Sequence, residues 1–154
     1  MGLADADDAM DLPTLVALAT DRDWKARYLV AVNQNTPIDI LVALSTDADY
    51  MVRGGVASKP KTPPSLIQSL SLDSVYQVRS EAARNPYVSP DALTRLAKDP
   101  ASLVRFSVAI HPNTCTELIV ELCRDSDTDV AQAAAAHPAC PEHVRALVDL
   151  RPGN

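Results

Sequence analysis

Apolar positions return along this chain with a period of 26 residues. Leu18, Leu44, Leu70, Leu96 and Leu122 form one column, and Ala31, Ala57, Ala83, Ala109 and Ala135 form another. Polar columns keep the same step. Asp21, Asp47, Asp73, Asp99 and Asp125 recur 26 apart, as do Arg27, Arg53, Arg79 and Arg105, with Ala131 in the fifth place. A fixed period of this length marks stacked supersecondary units, each too small to bury its own apolar face. Within each unit the apolar spacing predicts two short helices. Ile40-Leu41-Leu44 and Leu118-Ile119-Leu122 mark the first helix, and Val52-Val56 and Val104-Val108 the second.

The punctuation between these stripes predicts where helices begin and end. Thr36-Pro37, Thr62-Pro63, Ser89-Pro90 and Cys140-Pro141 read as caps of first helices, because a hydroxyl can accept from an orphan N–H and proline leaves none unsatisfied. The repeated Asp is expected to mark the turn and cap the second helix. The second helix should stop at Asn33, Lys59, Asn85, His111 or His137, and in four copies proline follows that residue. A one-residue slip in the inter-repeat loop is expected between copies. The resulting fold class is all-α: a right-handed α–α superhelix of about five two-helix repeats of 26 residues over positions 12–150. Pro141 to Leu150 forms a terminal capping helix, residues 1–11 an acidic tip, and residues 151–154 a tail.

Composition narrows the function. The net charge is −6, but setting aside Asp5, Asp7, Asp8 and Asp11 leaves 16 acidic against 14 basic residues, a body charge of −2. Such a body lacks the excess positive field of a general phosphate-backbone binder. Three cysteines are an odd, sparse set, unlike a disulfide framework. The first residues are acidic, without a basic and apolar leader pattern, and no run approaches the roughly 18 apolar residues of a membrane span. A cytoplasmic protein without membrane attachment is expected.

Asn85-Pro86, Ser89-Pro90, Leu93, Leu96, Asp99 and Val104-Arg105 follow a pattern that resembles the leucine-rich repeat variant family. An Asp six positions before each Arg is also similar to HEAT-like repeats. The resemblance covers roughly Leu12 to Leu150 and implies a superhelix of helix pairs that serves as an interaction scaffold. The founding type of the variant family holds an iron–sulfur cluster in a cysteine-rich N-terminal part. Residues 1–114 here contain no cysteine, so the resemblance carries no cofactor over. HEAT-like DNA glycosylases use a basic concave groove, for which this chain offers little charge.

Three sets of residues remain as functional candidates. The Arg and Asp columns (Asp21, Arg27, Asp47, Arg53, Asp73, Arg79, Asp99, Arg105) could track an anion, but they are read as a structural ladder, since a guanidinium fork suits carboxylate and carbonyl together. The variable second-helix stripe runs Lys25, Tyr28, Leu29, Val32, then Met51, Gly54, Gly55, Ser58, then Gln77, Ser80, Glu81, Arg84, then Leu103, Phe106, Ser107, Ile110. Tyr28, Leu103, Phe106 and Ile110 are the expected partner-binding residues, on a surface expected to be concave. His111, Cys115, His137, Cys140 and His143 are zinc-ligand types, but successive repeats stand about 10 Å apart, too far for one tetrahedral site. The aromatic column Trp24, Tyr50, Tyr76 is expected to pack over the turn. No nucleophile triad, paired inward carboxylates or phosphate loop is present. The expectation is a non-enzymatic scaffold for a protein partner, without cofactor. Polyanion binding through Lys25, Lys59, Lys61 and Arg84, and a metal- or redox-responsive role for the Cys/His loops, are the alternatives.

Overall fold

The computed structural model describes residues 10–149. First helices are α1 (Leu12–Leu18), α3 (Ile38–Leu44), α5 (Pro64–Leu70), α7 (Pro90–Leu96), α9 (Thr116–Leu122) and the terminal α11 (Glu142–Asp149). Second helices are α2 (Trp24–Val32), α4 (Tyr50–Ser58), α6 (Tyr76–Arg84), α8 (Ser102–Ala109) and α10 (Thr128–Ala136). Residues 1–9 of the acidic tip, Leu150 and the tail lie outside the described residues, and Asp11 is the N-cap of α1.

None of these helices exceeds nine residues, too short to persist alone in water. They persist because they stack. The second helices α2, α4, α6, α8 and α10 lie directly against one another in order; α3, α5, α7 and α9 each pack against the second helices on either side, α1 against α2 and α11 against α10. Ala31, Ala57, Ala83 and Ala109 are fully buried, so backbones approach without an intervening side chain. Val52, Val78, Val104 and Val130 fill the same layer, while Leu15, Leu41, Ile67, Leu93 and Ile119 seal the first helices onto it. One apolar cluster runs the length of the stack.

The register corrects three expectations. Every first helix starts 26 residues after the last, and so does every second helix, so the expected loop slip is absent. It arose from equating Thr-Pro with Ser-Pro, which occupy adjacent columns. Thr36 and Thr62 do not cap the following helix either. Their hydroxyls donate backwards to the carbonyls of Val30 (2.5 Å) and Val56 (2.6 Å), as Thr114 does to Val108 (2.7 Å), closing the end of the preceding second helix. Pro37 and Pro63 are the N-cap residues, without side-chain bonds, whereas Ser89 does cap α7, accepting from Ala92 N–H at 3.2 Å. The repeated Asp makes a tight turn rather than the cap. Asp47 accepts from the N–H of Asp49 at 2.8 Å, and Asp49 then caps α4 through Met51 N–H at 2.8 Å.

Candidate functional site

Two sets of cross-repeat bonds separate scaffold from free surface. At the turns, Arg27 Nε and Nη2 donate to both carboxylate oxygens of Asp47 (2.6 and 2.9 Å), one repeat ahead. Its Nη1 donates to the backbone carbonyls of Asp21 (2.8 Å) and Arg22 (3.2 Å) in its own repeat. The rung recurs at Arg53–Asp73, Arg79–Asp99 and Arg105–Asp125, with Nε–Oδ2 distances of 2.6, 2.6 and 2.7 Å. Burial pushes the carboxyls of Asp47, Asp73 and Asp99 up. The guanidinium bond, a backbone N–H and nearby arginine charge outweigh it, holding all three below the ordinary value.

At the ends of the second helices a different column reaches back one repeat. Asn85 Nδ2 donates to the carbonyls of Ala57 (2.8 Å) and Lys59 (2.9 Å), and its Oδ1 accepts from Tyr87 N–H (3.0 Å). His111 and His137 copy this pattern with imidazole. Nδ1 accepts from the N–H of Asn113 (3.2 Å) or Ala139 (3.1 Å), which leaves Nε2–H to donate to the carbonyl of Asn85 (3.3 Å) or His111 (3.1 Å). Lys59 occupies the same column, 3% exposed, with its ammonium on the Asn33 carbonyl. At the end of α10 the corresponding contacts come from Arg145. Its guanidinium donates to the carbonyls of Ala135 (2.8 Å) and His137 (3.4 Å), the positions equivalent to Ala57 and Lys59.

These bonds settle where several sequence candidates sit. Both nitrogens of His111 and His137 are engaged within the stack, Cys115 and His143 are exposed, and Cys140 meets Cys123 with sulfurs 3.6 Å apart. Among the described residues no group of three or more His, Cys, Asp or Glu is placed to hold a metal ion. Of the polyanion set, Lys59 is buried and Arg84 lies 3.5 Å from Glu81, leaving Lys25 and Lys61 exposed and far apart in sequence. Ser80 and Ser107, read as surface positions of the variable stripe, are instead buried and share a 2.8 Å hydrogen bond between α6 and α8. Trp24 packs edge-on to Tyr28 with centroids 6.4 Å apart, whereas Tyr50 and Tyr76 stay 39% and 43% exposed.

Among the described residues, two grooves stand out on the second-helix surface. The larger, about 870 Å³, lies between α8 and α10. Leu103, Phe106 and Ile110 form one wall, and Gln132, Ala133 and Ala136 help to form the other. Leu103 and Ile110 are 41% and 46% exposed. The sequence reading missed the α10 wall, since alanines carry no signal of their own; only their place in the columns of Ser107 and Ile110 could have shown it. Tyr28 does not join this groove. It lines a smaller one, about 440 Å³, with Tyr50, Met51, Gly54 and Glu81. At Gly55 the packing is tight: a Cβ would come within 3.1 Å of the Tyr28 ring and 3.2 Å of Ala31 Cβ. A Cβ on Gly54 would meet nothing within 4 Å. A further apolar patch, absent from the sequence candidates, lies on α1 and α3, where Leu12, Val16, Ile38 and Val42 are each about half exposed.

Stacked helix pairs, an inter-repeat ladder and a grooved second-helix layer together define an α-helical repeat solenoid. Residues 76–101, one full period from α6 through α7, match the family model described as leucine rich repeat variant. The whole stack is similar to a solved structure described as a leucine-rich repeat variant with a novel repetitive protein structural motif. The TM-score is 0.70 and the identity 27%, over 95% of this chain and 63% of that one. The chain thus spans less than two thirds of the length of that relative. No curated protein matches it. Among the described residues no helix is long and apolar enough to cross a membrane.

Proposed function

We propose that the chain is a non-enzymatic, cytoplasmic interaction module that binds a protein partner along its second-helix surface. The observation carrying this reading is the α8/α10 groove. Leu103, Phe106 and Ile110 are not consumed by either ladder, yet they place three large apolar side chains along one open cleft. Exposed apolar area gathered in one place, unlike scattered single residues, is the usual mark of an interface. Tyr28 extends the contact surface into the second groove, where Gly54 keeps the floor open. A glycine inside a helix costs about 1 kcal/mol relative to alanine. Gly54 has no packing reason for that cost, which supports close approach by a partner.

Phe106→Asp tests the reading. Phe106 borders the groove and is only partly buried, so the chain should still fold. Affinity capture from the native cell extract with wild-type and variant chains should show a partner lost on substitution. Unchanged capture by Phe106→Asp, with the helical stack intact by circular dichroism, removes this groove as the site.

A further inference from the structure

The larger groove is apolar along most of its length and acidic at one end. Asp127 and Asp129, at the start of α10, are the carboxylates that line it, and no Lys or Arg does. Its histidine, His137, is buried with both ring nitrogens engaged. Asp127 accepts from Asp129 N–H (3.0 Å) and Val130 N–H (3.3 Å), and a hydrogen bond from Ser102 does most to hold its carboxyl below the ordinary value. Asp127 is therefore an anion at neutral pH. Arg105 senses the charge of Asp127, but its guanidinium fork is already closed on Asp125 at 2.7 and 2.8 Å. Asp129 is exposed and makes no ion pair among the described residues. In the smaller groove, by contrast, Glu81 has Arg84 beside it at 3.5 Å.

Resting on the interaction reading above, we infer that the α8/α10 groove receives a cationic–apolar segment of a protein. One apolar side chain settles against Phe106, Ile110 and Ala133, and a lysine or arginine of the same segment lies beside Asp127 and Asp129. Complementary charge at the rim of an apolar cleft chooses among partners and speeds encounter more than it adds affinity. The same two carboxylates repel nucleic-acid phosphate and anionic lipid, and a second copy of this chain, at −6 overall, meets the same opposition.

Two labelled synthetic peptides of identical leucine and alanine pattern test this, one with lysine and one with glutamate at the polar positions. Each is titrated into the full chain by fluorescence anisotropy at low and moderate salt. The lysine peptide should bind at least about tenfold more tightly, a difference of roughly 1.4 kcal/mol. Asp127→Asn combined with Asp129→Asn should erase that preference; asparagine at 127 keeps a capping side chain for α10. Asp91→Asn, on a first helix, should leave it intact. If both peptides bind equally and both weaken with Phe106→Ala, the charge rule is overturned while the groove stands. If Phe106→Ala alters neither, the groove itself is wrong. A lysine preference that survives the double substitution reflects general acidity and overturns the inference, as does concentration-dependent self-association blocked by Phe106→Ala.

Discussion

The helix-to-helix turns and the ends of the second helices are both stitched across repeats, but by chemistry of different strictness. At the turns, four of five copies carry arginine facing an aspartate of the next copy. At the helix ends, Asn, Lys and His all occupy one column. The difference follows from what each position must do. A turn rung asks one side chain to grip two carboxylate oxygens ahead and two carbonyls behind, which only a guanidinium fork can do. A helix-end rung asks for one donor reaching a carbonyl and one acceptor for a local N–H. Amide and neutral imidazole both supply that pair. Lysine supplies the donor alone and brings a charge into the stack.

The sharpest way to break this contrast is Arg79→Ala. It strands Asp99, whose side chain is 6% exposed, and frees the carbonyls of Asp73 and Ser74. Removing one partner of such a buried pair should cost roughly 2–4 kcal/mol, read from the midpoint and slope of urea unfolding. Arg79→Lys should recover less than half, because an ammonium cannot grip both oxygens. The pH dependence has a definite sign. In the wild type the carboxyl of Asp99 is depressed, so its stabilisation is present above about pH 4 and is lost as pH falls through the folded value. Without Arg79, burial is opposed only by the Ala101 N–H and the Arg105 charge, so that carboxyl rises relative to the wild type and protonation relieves its charge more readily. The penalty of Arg79→Ala should therefore shrink below pH 4; a penalty constant with pH would place the loss in packing instead.

That strictness also explains what could be read from the sequence. The period, the helix pairs and the buried Leu, Val and Ala columns were legible because each column answers to one invariant demand of stacking. The direction of the hydrogen bonds was not. Thr36 read as a cap for the helix ahead because Thr-Pro satisfies that local rule, yet its hydroxyl serves Val30 behind it. The Asn, Lys and His column read as helix termination, with His111 and His137 also as zinc-ligand types and Lys59 as a polyanion contact, since nothing local shows that the Lys59, Asn85, His111 and His137 side chains each end on a carbonyl 26 residues earlier. The candidate groove was half legible. Leu103, Phe106 and Ile110 share one helix face, but their facing wall belongs to α10, and Tyr28 proves to lie three repeats before Phe106, in a separate groove.

Lys59 is where the tolerant ladder should be improvable. Burial, then the nearby Lys61 charge, depress its ammonium below the ordinary lysine value. The protonated form is thus penalised in the fold at neutral pH, and the penalty lifts as pH rises through the folded value toward 10.5. Lys59→Asn places in this copy the pattern of Asn85, with Asn33 and Ala31 carbonyls behind it and Lys61 N–H to accept from. The variant should be more stable by about 1 kcal/mol at pH 7, after allowing for lost packing of the lysine stem. The gain should narrow in alkaline buffer. A loss of stability at every pH would mean that the column is less interchangeable than its geometry implies.

The smallest expected effect is the most exacting test of interchangeability. His111→Asn keeps a donor for the Asn85 carbonyl and an acceptor for Asn113 N–H, so its stability above pH 7 should stay within about 1 kcal/mol of wild type. Below that the two chains should part. Burial depresses the His111 imidazole, with the neighbouring His137 adding to it, although the Asn85 carbonyl works in the opposite sense. Its contribution is therefore complete above the unfolded value of about 6.5 and is lost as pH falls toward the folded value. Asparagine does not titrate and loses nothing there. The variant should gain on wild type between pH 7 and pH 5 in thermal or urea unfolding, whatever its offset at pH 8. Parallel pH profiles would show that the imidazole is not held neutral by the stack, and that the helix-end ladder is less closed than its two bonds per ring suggest.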